Sequence, residues 1–177
     1  DFYYQILKLN NKKVASIGTL GVKSKNINLK LSNTTTDPVR LGQILTRLNN
    51  QKVENIIMEA SSHGLQQNRL DGLKFNSGIF TNLSQDHLDY HKNLKNYLKA
   101  KLYLFKNLIE KKGNVITDKN IPQYETIKKI SLKKKLKLLA INEKKNNFEI
   151  ISHRYDNENQ LIKFKHKNLI KEINLNL

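Results

Sequence analysis

Two short stretches gather the groups that could do chemistry. One reads Met58-Glu59-Ala60-Ser61-Ser62-His63-Gly64-Leu65, the other Phe80-Thr81-Asn82-Leu83-Ser84-Gln85-Asp86-His87-Leu88-Asp89-Tyr90-His91. Each begins where an apolar, strand-like run ends. Polar groups just past the carboxyl ends of parallel strands are where open α/β sheets hold their ligands. Two such clusters from two strands point to one shared site. Glu59 can serve there as a metal ligand, a general base or a structural partner for loop amides. His87 stands between Asp86 and Asp89. An imidazole flanked by carboxylates can be held in one tautomer, as metal ligands are. The same acids can equally cap the helix that follows. His63 and His91 are secondary candidates, and His153 and His166 read as surface residues.

Lys101 is out of keeping with its neighbours. It lies on the stripe Leu94, Leu98, Phe105, Leu108, where helical spacing calls for a hydrophobe. On spacing alone, a packed stem with the ammonium in water is the favoured reading. The other is a partly desolvated lysine of lowered pKa. A neutral amine can take up carbon dioxide as a carbamate, which would turn a cation into an anion able to hold Mg²⁺. Asn33-Thr34-Thr35-Thr36 precedes a helix start. Hydroxyls and amides there suit phosphate or carboxylate binding, or ordinary capping. Arg69 can clamp an anion or stand as a surface arginine.

The elements that must position these groups alternate. Val14 to Gly18 reads as a strand leaving through Gly18-Thr19-Leu20-Gly21. Asp37 and Pro38 open a helix as N-cap and first-turn residue, and Leu41, Ile44, Leu45 and Leu48 line its inner face. Val53 to Met58 reads as a buried parallel strand. A short helix is expected over Leu65 to Leu70, stopped near Gly72, then a strand over Phe75 to Thr81. Leu94 to Ile109 is the clearest helix. Val115-Ile116, Ile121 to Ile130 and Leu136 to Ile141 continue as strand, helix and strand. Phe148 to His153, Leu161 to Lys165 and Leu169 to Leu177 alternate as antiparallel strands with one wet face do, with a turn at Asp156-Asn157-Glu158-Asn159. The expected fold class is therefore α/β: a mostly parallel, doubly wound sheet with flanking helices over residues 1–141, and a small antiparallel sheet over 142–177.

The chain has 177 residues, no cysteine and a formal charge of +17. That length makes one domain with a real core, and the lack of cysteine excludes disulfides and thiolate metal sites. No signal-peptide pattern or membrane-length apolar run is seen, so a cytoplasmic protein is expected. The charge is nearly all lysine, with Arg40, Arg47, Arg69 and Arg154 the only arginines. Base-reading surfaces lean on arginine and single-strand binders on aromatic platforms, so no nucleic-acid partner is expected. The run Lys133-Lys134-Lys135 reads as a solvated face. No G-x-x-x-x-G-K-[ST] phosphate loop occurs. Asp1 to Leu7 reads as the latter part of a helix and Ile173 to Leu177 as an interrupted strand, so the chain is expected to be truncated at both ends.

Five segments together resemble the central domain of the Mur ligases. They are Ile17-Gly18-Thr19-Leu20-Gly21, Asn33-Thr34-Thr35, Met58 to Leu65, Thr81 to His91, and Ala100-Lys101, in the family's order and spacing. The match is dense from Val14 to Phe105 and weak after Gly113. The Ser-Ser-His-Gly-Leu and Asp-His-Leu-Asp-Tyr-His forms are most similar to the branch that adds a diamino acid.

The resemblance implies an ATP-dependent ligase of peptidoglycan precursor synthesis. Its members join meso-diaminopimelate or L-lysine to UDP-MurNAc-L-Ala-D-Glu through an acyl phosphate, with Mg²⁺ and ATP, as monomers. It implies Glu59 and His87 as Mg²⁺ ligands and Lys101 as a carbamylated lysine holding a second Mg²⁺, which reverses the reading from spacing. Thr34, Thr35, Ser61, Gln67 and Arg69 would hold the UDP-muramoyl dipeptide. Departures from the family pattern are Thr36 in place of proline, Lys92 in place of glycine, and Thr117-Asp118-Lys119 in place of Asn-Ala-Asp, so no adenine contacts carry over. Without phosphate loop, UDP-binding domain and amino-acid-binding domain, the chain alone is expected to be inactive. The rival expectations are another Mur-type ligase or folylpolyglutamate synthase and, in a different class, a basic non-catalytic binding module.

Overall fold

The computed structural model describes residues 2–143, 148–156 and 159–176. They fall into two compact units. One holds the chain up to Leu73 together with His87–Leu104; the other holds Lys74–Asp86 and the chain from Phe105 onward.

In the first unit, α1 (Phe2–Leu9) leads into β1 (Val14–Gly18), β2 (Gly21–Lys23) and β3 (Asn28–Leu29). The helix α2 (Pro38–Asn50), β4 (Asn55–Met58), α3 (Ser62–Gln66), α4 (Leu88–His91) and α5 (Leu94–Tyr103) follow. The sheet runs β3-β2-β1-β4, with β1 and β4 parallel from Val14 opposite Asn55 to Ile17 opposite Met58. The two short strands β2 and β3 went unread in the sequence, being too brief for any periodicity. Gly21, at φ +85°, lets β1 turn back antiparallel into β2. The Asp37 cap is as expected: its Oδ1 accepts from the Arg40 amide at 2.9 Å, and Pro38 opens the helix. Leu41, Ile44 and Leu48 are buried with Ala15, Ile17 and Val22.

Two expectations are corrected here. Among the described residues the β4 strand is the last in its sheet, hydrogen-bonded on the β1 side, and it is half-buried with Ile56 exposed. The short helix starts at Ser62, not Leu65, because the Ser61 hydroxyl accepts from the Gly64 amide at 3.1 Å and sets the N-cap. The segment expected to be helical to Leu70 is a series of turns ending at Gly72, φ +88°.

In the second unit, β5 (Phe75–Ile79), β6 (Ile109–Asp118) and β7 (Lys137–Ile141) form a parallel sheet with α6 (Tyr124–Lys134). The strands β8 (Phe148–Asp156), β9 (Asn159–His166) and β10 (Leu169–Asn176) form the antiparallel sheet, in the order β10-β9-β8. The α/β class and the antiparallel sheet are thus as read. The expected turn at Asp156–Asn159 includes residues 157 and 158, and the end expectations include Asp1 and Leu177; these lie outside the described residues.

The long helix ends sooner than its apolar stripe. After Tyr103 the chain makes one π-helical turn, Leu104–Leu108, and enters β6 at Ile109. Ile109 pairs with Phe75 across a bulge, and sheet pairing there overrides helical periodicity. Leu94, expected on the inner face, is exposed, and Tyr97 and Ala100 are buried instead. The last helix begins at Tyr124 because Ile121 and Pro122 form a turn closed by the Tyr124 amide on the Ile121 carbonyl. No helix among the described residues is long and apolar enough to cross a membrane.

Candidate functional site

Parallel pairing of β1 and β4 brings their carboxyl ends side by side. The Glu59 amide donates to the Ile17 carbonyl at 2.8 Å, extending the ladder by one residue. Its carboxylate then lies against the exit of β1. Glu59 Oε2 accepts from the Thr19 amide at 2.9 Å and from Thr19 Oγ1 at 3.0 Å. Gly18 makes this approach feasible: a Cβ there would stand 2.6 Å from Glu59 Oε2 and 2.9 Å from Glu59 Cβ. Glu59 is exposed, and only Oε2 is engaged among the described residues.

The threonine loop is tied to the same strand end. Thr19 Oγ1 lies 2.9 Å from Thr34 Oγ1. Thr35 is only 3% exposed; its hydroxyl donates to the Glu59 carbonyl at 3.0 Å and accepts from the Ser61 amide at 2.9 Å. Arg69 Nη1 donates to the Thr35 carbonyl at 2.7 Å, so this arginine braces the loop rather than standing on the surface. Ser61 Oγ is taken up by the α3 cap. Gly64 passes under Thr35 so closely that a Cβ would stand 2.6 Å from Thr35 Cβ and Cγ2. Gln67 lies apart from this network, donating to the Tyr90 hydroxyl at 2.9 Å.

His87 belongs to a second cluster in the same unit. It takes the left-handed conformation, φ 55° and ψ 26°, just before α4, and its side chain makes no capping bond. Such a backbone is uncommon for a non-glycine residue and turns the imidazole away from helical geometry. Its ring packs edge-on to His63 at 5.0 Å and to Tyr97 at 5.9 Å. Lys92 closes α4 at φ 68°, which explains why glycine suits this position and shows that lysine is held there under strain.

Lys101 is half-buried, and its ammonium sits 5.0 Å from the centre of the Tyr97 ring, within cation–π range. Tyr97 is buried and stacks on His91 at 4.9 Å with an 18° interplanar angle. One phenol ring therefore touches Lys101, His87 and His91.

His91, a secondary candidate in the sequence, is enclosed. It is 1% exposed, lies 2.9 Å through Nε2 from Ser62 Oγ, and has no partner for Nδ1 among the described residues. Burial holds it below the ordinary imidazole value, His63 and His87 push the same way, and Asp89 pulls weakly upward. The unfolded chain therefore binds this proton more readily than the folded one. The stabilisation is complete above the unfolded value near 6.5 and is lost as pH falls below it. Urea midpoints of the wild type should fall as pH drops from neutral into this window. In His91→Gln, which keeps a group able to bond Ser62, that part of the slope should vanish; an unchanged slope would remove His91 as its source.

Thr19, Gly18, Gly64 and Tyr97, none singled out by the sequence, also touch the candidate residues. Gly18 and Thr19 lay in a matched segment, but a glycine says nothing of the carboxylate that will approach it. Mg²⁺, which the resemblance implies, fits the donors present. Among the described residues no three His, Cys, Asp or Glu side chains group to hold a metal. Mg²⁺ does not need such a cage: one or two carboxylates suffice, with water and substrate phosphate completing the shell. Glu59, whose Oε1 is unengaged among the described residues, offers such a ligand.

A carboxylate and a hydroxyl loop lie beyond the carboxyl ends of two parallel strands, the position where α/β domains place candidate ligand sites. The model of the Mur ligase middle domain matches residues 1–177, and the chain belongs to that family. A UDP-N-acetylmuramoyl-L-alanyl-D-glutamate–2,6-diaminopimelate ligase of Chelativorans sp. (strain BNC1) is 36% identical over 176 residues, 99% of this chain and 36% of that protein. A solved structure of a ligase of the same name covers 96% of this chain and 35% of its own, at 24% identity and a TM-score of 0.80. The MurF ligase of Thermotoga maritima, solved in complex with ADP, covers 98% and 36% at 16% identity and a TM-score of 0.66. These two structures share the fold. The chain spans about a third of the length of the relatives it matches.

Proposed function

We propose that this chain is part of the central domain of an ATP-dependent ligase that adds 2,6-diaminopimelate to UDP-MurNAc-L-Ala-D-Glu. The observation that carries this reading is the hydrogen-bonded unit Glu59–Thr19–Thr34 with Thr35–Ser61 and Arg69 at the ends of β1 and β4. The name of the 36%-identical relative supports the diamino-acid branch over other Mur-type ligases. The ADP complex of the MurF relative supports a nucleotide co-substrate.

In this reaction the D-glutamate carboxylate attacks the terminal phosphorus of ATP and ADP leaves. The amine then attacks the acyl carbon, phosphate leaves, and the amine gives up a proton. Glu59 and His87 are the proposed Mg²⁺ ligands, and Lys101, as a carbamate, is proposed to help hold a second Mg²⁺. Bound Mg²⁺ would offset the negative charge that builds on the transferring phosphoryl group. The threonine loop, with Ser61, Gln67 and Arg69, is assigned to the muramoyl peptide. In this arrangement Thr35 and Arg69 shape the loop from beneath, and the Thr34 side faces the ligand.

Titrating the chain with Mn²⁺, followed by electron paramagnetic resonance, tests the assignment. One saturable class of sites should weaken about 100-fold or more in Glu59→Gln, beyond the range typical of partners behind a ligand. Salt-sensitive oligonucleotide binding with no saturable Mn²⁺ site would favour a basic binding module instead.

A further inference from the structure

We propose that Thr19 is a positioning residue that couples the cation site to the anion-binding loop; this rests on the reading of Glu59 as a metal ligand. Two donors of a single residue, its amide and its hydroxyl, converge on Oε2 of Glu59 at 2.9 and 3.0 Å. They hold one carboxylate oxygen, so the side chain presents the other outward. The Thr19 hydroxyl lies at the same time 2.9 Å from Thr34 Oγ1. Because Thr19 donates its hydroxyl hydrogen to Glu59, Thr34 must donate to Thr19, which leaves the Thr34 oxygen as an acceptor toward the loop's outer side. One hydroxyl therefore fixes the orientation of a cation ligand and the hydrogen-bond polarity of a residue in the anion loop. Partners behind a metal ligand typically change affinity by about 10–100-fold when removed. Coupling through them must act equally in both directions.

The partition of the two donors makes this testable. Thr19→Val keeps the amide bond and the branched shape and removes only the hydroxyl. Mn²⁺ affinity should fall about ten-fold and be restored in Thr19→Ser. Thr34→Val should weaken Mn²⁺ in the same sense, although Thr34 is no ligand. The double variant Thr19→Val/Thr34→Val should lose less than the two single losses combined, as expected of groups in one network. Urea midpoints should move little, since these bonds are exposed; a merely structural role would lower the midpoint and leave the affinity of the folded protein unchanged. If Glu59→Gln weakens Mn²⁺ binding and Thr19→Val does not, the positioning role is overturned while the metal reading stands. If Glu59→Gln has no effect, the metal reading fails, and this proposal with it.

Discussion

Gly18→Ala should abolish saturable Mn²⁺ binding in a protein that still folds. The added methyl would stand 2.6 Å from Glu59 Oε2, and that atom alone could swing aside. It would also stand 2.9 Å from Glu59 Cβ, which moves only with the backbone at the end of β4. Relief therefore takes the carboxylate away from both Thr19 donors. Overpacking of this kind costs about 1–3 kcal/mol, which lowers stability without removing the sheet. The effect on the site is larger: with the carboxylate displaced, affinity should fall by about 100-fold or more. Paramagnetic resonance titration beside a thermal unfolding curve separates the two. A folded Gly18→Ala protein that binds Mn²⁺ like the wild type would show that Glu59 holds no cation.

Gly64→Ala is expected to be the most destabilising of the substitutions considered. Gly64 and Thr35 are both buried, and the new Cβ would lie 2.6 Å from Thr35 Cβ and Cγ2 and 3.0 Å from Oγ1. Thr35 cannot retreat without releasing the Ser61 amide and the Glu59 carbonyl, which its hydroxyl joins. Overpacking and the loss of part-buried hydrogen bonds together should cost about 3 kcal/mol, read as a lower urea midpoint. Shortening the neighbour in Gly64→Ala/Thr35→Ser should not rescue it, because the clash includes Thr35 Cβ. Full rescue by serine would place the conflict at the methyl group alone and weaken the case for a rigid loop.

These two glycines mark where reading the sequence reached its limit. The strand Val14–Gly18, the Asp37-Pro38 helix start and the three antiparallel strands were legible because each rests on local signals: β-branched runs, a capping pair, alternation. The boundaries that moved did so where a distant partner intervened. Phe75 drew Ile109 into a strand, and Ser61 started a helix three residues early through the Gly64 amide.

The candidate residues divide in the same way. Their types and order in the chain, with the family they resemble, were contained in the sequence. So was the oddity of Lys101 on an apolar stripe, although not that its ammonium would rest on Tyr97. The tertiary structure alone decided that Thr19 meets Glu59 across 40 positions of chain, that Thr35 locks under Ser61, and that His91 is enclosed while His87 is exposed. The reason is physical. Local propensities report how a residue suits its own few neighbours. Parallel pairing of β1 with β4 sets residues side by side whose separation in sequence carries no local signal, and the geometry of a site is made of such contacts.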